Sequence, residues 1–295
     1  MGERSMTSHS RSLALFLVAI LIFGTNGVMV HMAGLPSSVI ASVRGIIGAL
    51  TLAAWARMRG DALSLAGIPR SQLLRIAVSG ACIGFNWVLI FEAFRISSVA
   101  VSTVVYYIAP ALVVLLAPLV LHERFSGMRL VCVLVSFAGL GLIVGLDGSA
   151  SHAGILLALG AACLYASVIM LNTTLAEVDY RIRTVIQIGA AGIITLPYAL
   201  ATDAFAAVDL TPRSIAFLLV LGIVYTGIAY ACYFAAFSGL DAQEVSVLSY
   251  IDPVIAVVCS ALMLGEPITP ATIAGAILII GSSIVSELVA SRAAS

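Results

Sequence analysis

The chain has 295 residues, of which 62% are hydrophobic and 9% are charged, and its formal net charge is zero. Its mean hydropathy is +1.16, whereas an ordinary soluble domain contains about 45–50% apolar and about 25% charged residues. This composition excludes a water-soluble fold, and the balanced charge argues against nucleic acid as a partner.

Apolar runs separated by charged residues, glycines or prolines predict an all-α membrane protein with ten transmembrane helices. A hydrocarbon core of about 30 Å requires roughly 20 apolar residues per helix, so ten spans leave short loops and no room for a soluble catalytic domain. The first run is too long for the hydrophobic region of a signal peptide. The predicted spans are 12–32, 36–57, 71–93, 98–121, 127–146, 153–175, 183–202, 214–237, 245–264 and 270–290.

The arginines predict the orientation of these spans, because basic loops stay on the cytoplasmic side during insertion. If the N-terminus lies in the cytoplasm, only Arg95 and Arg213 fall in loops on the external side of the membrane, and Arg44 lies within the second span. We therefore expect both termini in the cytoplasm of a bacterial cell, with the chain crossing the inner membrane. The arginines assigned to the cytoplasm are Arg4, Arg11, Arg57, Arg59, Arg70, Arg75, Arg124, Arg129, Arg181, Arg183 and Arg292.

An internal repeat appears when the chain is shifted by 143 residues. The segment YIAP at 107–110 then lies on YIDP at 250–253, and Glu123 lies on Glu266. The shared prolines predict helix kinks, and the glutamates predict the ends of the following helices. Each copy holds five spans, an odd number, so the second copy must begin on the opposite side of the membrane. The sequence therefore predicts two inverted five-helix repeats.

The predicted repeats divide the chain into two units with short tails. The first repeat covers residues 12–147 and the second covers 152–290, between cytoplasmic tails at 1–11 and 291–295. Small residues should let helices approach closely within this scaffold. We expect this of Gly45 and Gly48 in the second span and of Gly141 and Gly145 in the fifth.

Two long segments also carry a family resemblance. The run from 86 to 125, which contains NWVLIFEAFRISS, and the run SYIDPVIAVVCSALMLGEPIT at 249–269 resemble the two halves of EamA-type transporters of the drug/metabolite transporter superfamily. FGTN at 23–26 and Arg44 fit the same pattern. The resemblance implies a ten-helix carrier that exports amino acids, other metabolites or drugs, and that uses neither ATP nor a metal or other cofactor.

Four ionisable residues are predicted at or near membrane depth, and such residues are functional candidates because burying a charge is costly. The four are Arg44, Glu92, Arg95 and Asp252, and none of them has an identical residue at the equivalent position of the other copy. We assign Arg44, Glu92 and Asp252 to coupling or gating. The alternative for Glu92 is an i,i+3 ion pair with Arg95. Arg44 could instead bond to carbonyl groups of a neighbouring helix, extend outward to the membrane surface, or form a buried pair with a carboxylate.

Aromatic and amide side chains within the spans form the predicted substrate site. Tyrosine hydroxyl groups at mid-depth need partners or a polar cavity, and such a cavity could hold an aromatic or cationic cargo by stacking or cation–π contact. Core packing is the alternative for each of them. The predicted substrate-binding residues are Asn26, Trp87, Tyr107, Tyr165, Tyr230 and Tyr250.

These features predict a secondary transporter for a small metabolite, working as a monomer or homodimer in the lipid bilayer by alternating access. Export with proton coupling is the first hypothesis, and import or facilitated diffusion of a cationic or aromatic metabolite is the alternative. A membrane-embedded enzyme is a remote alternative, since the histidines lie in tails or at span ends and neither HExxH nor GxSxG occurs. We therefore predict no catalytic residues and no metal ligands.

Overall fold

The computed structural model describes residues 2–61, 63–65, 67–120, 127–146, 151–236, 239–240 and 242–294. Its regular elements within these ranges are all helical. Fourteen α-helices and a π-helix at Ile223–Ile228 follow one another along the chain. The α-helices are α1 Gly2–Gly24, α2 Asn26–Ala33, α3 Ser37–Met58, α4 Arg70–Ile96, α5 Val99–Tyr106, α6 Ala109–Val120, α7 Gly127–Leu146, α8 His152–Thr173, α9 Tyr180–Ala201, α10 Pro212–Gly222, α11 Ala229–Ala236, α12 Ala242–Ser249, α13 Ile251–Leu264 and α14 Pro270–Ala294.

Seven helical segments in the described chain are long and apolar enough to cross a membrane, and three shorter apolar helices accompany them. Each of the ten overlaps one of the predicted spans, and seven of them have the length of a transmembrane helix. The seven are His9–Ala33, Ser37–Met58, Arg70–Ile96, Val99–Leu116, His152–Thr173, Tyr180–Ala201 and Pro212–Ala236. The three shorter ones are Leu130–Leu146, Ile251–Leu264 and Pro270–Ser286.

The helix boundaries repeat with the register predicted from the sequence. α3 and α9 begin and end 143 residues apart, as do α5 and α12, and α7 and α14 begin 143 residues apart. The same local signals therefore start and stop the helices in both copies. The predicted match between Glu123 and Glu266 can be followed only at Glu266, because Glu123 lies outside the described residues.

Counterpart helices of the two copies pack directly against each other. A methyl group on Gly45 of α3 would lie 2.6 Å from the backbone N and Cα of Gly192 in α9, and one on Gly189 would lie 3.4 Å from Ala49. As the residue number rises along α3, its neighbour in α9 falls, so the two helices are antiparallel where they cross.

α7 and α14 form the second counterpart pair. The Ser136 and Ser282 hydroxyl oxygens are 2.7 Å apart, and a methyl group on Gly275 would lie 2.9 Å from the Gly139 carbonyl oxygen and 2.5 Å from Ile143. These contacts again run in opposite directions along the two helices. Two helices of the first copy thus run antiparallel to their equivalents in the second.

Close packing at glycines was predicted correctly in α3 and wrongly in α7. Methyl groups on Gly45 and Gly48 would collide with α9 and with the π-helix, respectively. In α7 the contact is made by Gly139, whereas no described atom lies within 4 Å of a methyl group on Gly141 or Gly145. The sequence shows small residues on α7 but does not show which face of the helix meets α14.

Candidate functional site

Arg44 is the centre of a buried polar group, which we call the Arg44 cluster (Asn26, Arg44, Trp87 and Thr226). Only 3% of Arg44 is exposed. Its Nε donates to the Thr226 hydroxyl oxygen at 3.0 Å, and one terminal nitrogen donates to Asn26 Oδ1 at 3.0 Å. The guanidinium carbon lies 4.4 Å from the centre of the Trp87 ring. A cation–π contact and neutral acceptors thus stabilise this charge.

Irregular backbone on two neighbouring helices makes room for these contacts. The first predicted span breaks at Thr25, between α1 and α2, and Asn26 follows the break. The π-helix contains Tyr225 and Thr226, and the Tyr225 carbonyl accepts from Arg44 at 3.4 Å. The Tyr225 hydroxyl also lies 3.1 Å from the Thr25 hydroxyl. π-helical turns are often found at functional sites.

The second copy has a neutral counterpart, which we call the Gln187 cluster (Ser79, Asn172 and Gln187). Gln187 lies 143 residues after Arg44 and is 4% exposed. Its side-chain amide donates to the Ser79 hydroxyl at 2.8 Å and to Asn172 Oδ1 at 2.7 Å. Arg44 bonds to Asn26 in α2 and Thr226 in the π-helix, and Gln187 correspondingly reaches α8 and α4. The two copies thus hold equivalent polar bridges, one charged and one neutral.

Asp252 and Tyr107 form a second contact between the copies, which we call the Asp252 pair. The Tyr107 hydroxyl donates to Asp252 Oδ2 at 2.6 Å. Asp252 Oδ1 is buried and has no hydrogen-bond partner among the described residues. No described cation forms an ion pair with Asp252. One carboxylate oxygen thus remains available to a proton or to a positively charged group.

Helix breaks at equivalent positions carry this pair. α5 ends at Tyr106 and α12 ends at Ser249, each four residues before a proline. Proline has no N–H to donate to the carbonyl four residues earlier, so the helix is interrupted there. The kinks predicted from the two prolines are therefore confirmed. Asp252 lies half-way between the start of α12 and the end of α13.

Tyrosine rings surround the Asp252 pair. Tyr107 contacts Tyr250 with a centroid distance of 6.3 Å and Tyr106 with the same distance. Tyr106 also packs on Tyr165 at 5.5 Å, and Tyr165 is 40% exposed. Asn86 holds Tyr106 in place, since its amide donates to the Tyr106 hydroxyl at 3.4 Å. Three predicted tyrosines, 107, 165 and 250, are thus in one group, which also contains Tyr106.

Tyr230 belongs to a neighbouring aromatic group on α11. Its ring lies 5.2 Å from Phe23 and 5.9 Å from Phe234, centroid to centroid. Tyr233 contacts Phe23 at 6.1 Å. Phe23 belongs to α1 and lies two residues before the break at Thr25, so Tyr230 packs beside this break.

Glu92 makes the local ion pair that the sequence left as an alternative. Arg95 donates to both carboxylate oxygens of Glu92, with a shortest distance of 2.6 Å. The Arg95 side chain is 59% exposed and that of Glu92 is 27% exposed. Glu92 is thus neutralised within its own helix, whereas Asp252 is not paired with a described cation.

The structure therefore distributes the predicted residues over four places. Asn26, Arg44 and Trp87 meet in the Arg44 cluster, and Tyr107 and Asp252 form the second group with Tyr165 and Tyr250. Tyr230 lies in the aromatic group on α11, and Glu92 stands apart. Thr226 was not predicted, because a threonine in an apolar run gives no sign of a π-helix. The hydrogen bonds that Glu266 accepts from the start of α5 were not predicted either.

Two matches of one family model cover most of the chain. The model of the EamA-like transporter family matches residues 10–145 and, a second time, residues 152–287. The chain belongs to the EamA-like transporter family. The double match confirms the two-repeat organisation, and membership makes this EamA-like protein a multi-pass membrane transporter of the drug/metabolite transporter superfamily.

Similar proteins agree with this assignment. An uncharacterized transporter of Bacillus subtilis, YxxF, is 29% identical over 271 residues, which cover 89% of this chain and 86% of that protein. Protein RarD of Escherichia coli is 24% identical over 66% of this chain and 65% of its own length. A solved crystal structure with 21% identity superposes with a TM-score of 0.68, covering 96% of this chain and 99% of that one. The last likeness concerns the fold alone.

Proposed function

We propose that this transporter is a secondary carrier that exports a small metabolite with a positively charged group, such as an amino acid, an amine or a drug-like compound. The observation that supports this most is the Asp252 pair. A carboxylate at a helix break, with one oxygen hydrogen-bonded to Tyr107 and the other without a described partner, can bind a cationic group or a proton. Exchange of one for the other would couple export to proton entry.

The proposed scaffold has ten spans in two inverted five-helix repeats, over residues 12–147 and 152–290. Antiparallel packing of α3 on α9 and of α7 on α14 supports it, because equivalent helices of inverted repeats must run in opposite directions. Secondary carriers built this way bind substrate near the membrane midplane at broken helices, and rock one repeat against the other. Asp252 lies about 15 Å along its span from Ala242, or half of a core of about 30 Å.

Aromatic side chains complete the proposed site. Tyr106, Tyr107, Tyr165 and Tyr250 could hold the cargo by stacking on its apolar part, while Asp252 binds its cationic group. We propose a positioning role for Arg44, which joins α2, α3 and the π-helix and so fixes the wall next to Tyr230. Glu92 has a local partner, so the proposed coupling role is left to Asp252.

The proposed orientation places both termini and the loop between α3 and α4 in the cytoplasm. Single cysteines at Gly60 in that loop and at Asp209 in the loop between α9 and α10 test it on a cysteine-free background. In intact cells, a membrane-impermeant maleimide should label the cysteine at position 209 and not the one at position 60. External labelling at position 60 would overturn the orientation.

A thermal-shift screen of the purified protein tests the binding proposal, because a ligand that binds the folded state raises its apparent stability. The screen compares amines, amino acids, nucleosides, sugars and carboxylic acids without a cationic group. Ligands with a cationic group should raise the melting temperature of the wild-type protein and of the Glu92→Gln control, but not that of Asp252→Asn. A ligand that stabilises Asp252→Asn as well as the wild type would show that Asp252 is not the binding residue.

A further inference from the structure

Glu266 makes a second set of contacts between the two copies. Its Oε1 accepts from the backbone N–H of Val99 at 2.7 Å, and its Oε2 accepts from the N–H of Ala100 at 3.0 Å. Oε2 also accepts from the Ser98 hydroxyl at 2.7 Å. One carboxylate of the second copy therefore binds three donors at the start of α5, which belongs to the first copy.

The geometry of α5 and α13 explains why this contact forms. α13 ends at Leu264, and Gly265 has a φ of +69°, which turns the chain sharply and points it at α5. The first N–H groups of a helix have no partner within the helix, and the N-terminal end attracts negative charge. The Ser98 hydroxyl satisfies the next of these donors, the N–H of Val101. Glu266 thus closes a helix end that would otherwise need water.

α5 is held by the second copy at both of its ends. Glu266 binds its first turn, and eight residues later Tyr107 binds Asp252, which lies at the other end of α13. The two contacts are about 12 Å apart along α5, at about 1.5 Å per residue. The helix pair α5 and α13 can separate only if both contacts open.

We propose that Glu266 is a gating residue: its bonds to the start of α5 hold the outer face of the carrier closed, and they open each time cargo passes that face. This inference rests on the proposed function and adds a residue to it. Asp252 is the inner contact, which binding of cargo or a proton would weaken, and Glu266 is the outer one, which contacts no part of the proposed cargo site.

The position of Ser102 allows the outer contact to be measured without any cargo. Ser102 lies one turn after the bonds of Glu266, is 1% exposed, and its hydroxyl has no hydrogen-bond partner among the described residues. A single cysteine at position 102 on a cysteine-free background reports access to α5 from the outer face. The rate of labelling by a membrane-impermeant maleimide is measured for this protein in intact cells.

Adding Glu266→Gln or Glu266→Ala should raise that labelling rate about tenfold or more, because hydrogen bonds to a charged group contribute at least that factor. The matched control is Asp209→Asn, which removes an exposed carboxylate of the same proposed face and should leave the rate unchanged. Size-exclusion chromatography checks that each variant is folded. If Glu266→Ala cannot be purified in folded form, the labelling rate is compared in Glu266→Gln alone. An unchanged rate in a folded Glu266 variant would overturn the gating role. The carrier proposal is judged separately, by the response of Asp252→Asn to ligands.

Discussion

Arg44 in α3 and Gln187 in α9 occupy equivalent positions in the two copies, and each bridges its helix to two neighbours. Arg44 reaches Asn26 and Thr226, whereas Gln187 reaches Asn172 and Ser79. The bridges have the same connectivity, but only the first carries a charge. The two copies thus share the shape of the bridge and differ in its charge.

The same asymmetry is present at the helix breaks. Asp252 follows the break in the second copy, and the equivalent residue in the first copy is Ala109. A tyrosine occurs at each break, Tyr107 in the first copy and Tyr250 in the second, and Tyr107 bonds to Asp252 of the other copy. A symmetric scaffold is needed to alternate between two similar conformations, and unduplicated charges are needed to bind one asymmetric cargo. Arg44 and Asp252 should therefore affect transport most, whereas the neutral bridge at Gln187 should affect mainly stability.

The largest expected effect on stability comes from Arg44→Lys. Lysine keeps the charge but cannot present several donors in one plane to Thr226, Asn26 and the Tyr225 carbonyl. We expect the free energy of unfolding in SDS to fall by about 2–3 kcal/mol, and transport to fall more than tenfold. Arg44→Gln, which makes the position resemble Gln187, should lose less stability because no charge stays buried. Wild-type stability in Arg44→Lys would show that the planar arrangement of the guanidinium donors does not stabilise the protein.

Gln187→Leu breaks the neutral bridge. It removes two hydrogen bonds and leaves Ser79 and Asn172 to find other partners, so we expect a loss of about 1 kcal/mol in the free energy of unfolding. The transport rate per folded protein should stay within about twofold of wild type, since no charge is lost. If Gln187→Leu abolished transport at normal stability, the two bridges would not differ in function as we infer.

Gly139→Ala and Gly141→Ala compare two positions of α7 and give the smallest effect. A methyl group at 139 would lie 2.9 Å from the Gly275 carbonyl oxygen, whereas no described atom lies within 4 Å of one at 141. Crowding should lower stability by about 1 kcal/mol in the first variant, and the second should be neutral or slightly stabilised because alanine favours helix. Equal melting temperatures would show that α7 and α14 do not pack this closely.

Local signals made much of the fold predictable. The apolar runs located the ten apolar helical segments, although not the breaks at Thr25 and at the π-helix. The prolines at 110 and 253 located the breaks between α5 and α6 and between α12 and α13, because proline lacks the N–H that would bond to the carbonyl four residues earlier. The ion pair between Glu92 and Arg95 was also predictable, because residues three apart lie on the same face of a helix. The offset of 143 residues gave the equivalence of the copies, which the family matches confirm.

Contacts between distant helices were not predictable in the same way. Thr226 binds Arg44 across 182 residues, and its π-helix has no distinctive composition. Glu266 was interpreted only as a helix terminator, although its carboxylate binds the start of α5 in the other copy. Which side of α7 meets α14 depends on helix rotation, so Gly139 could not be preferred over Gly141. Such partners depend on how the helices pack against one another, and this packing cannot be read from a single sequence.

Transport by Asp252→Asn in proteoliposomes tests the central claim most directly, that one unduplicated carboxylate between two equivalent halves carries the binding and coupling. The measurement compares counterflow of a cargo from the ligand screen, and its dependence on an imposed pH gradient, in wild type, Asp252→Asn and Glu92→Gln. We predict that Glu92→Gln behaves as wild type, and that Asp252→Asn folds normally but loses the pH-gradient dependence and about 100-fold in rate, the equivalent of about 2.7 kcal/mol. Wild-type rate and pH dependence in folded Asp252→Asn would contradict the claim.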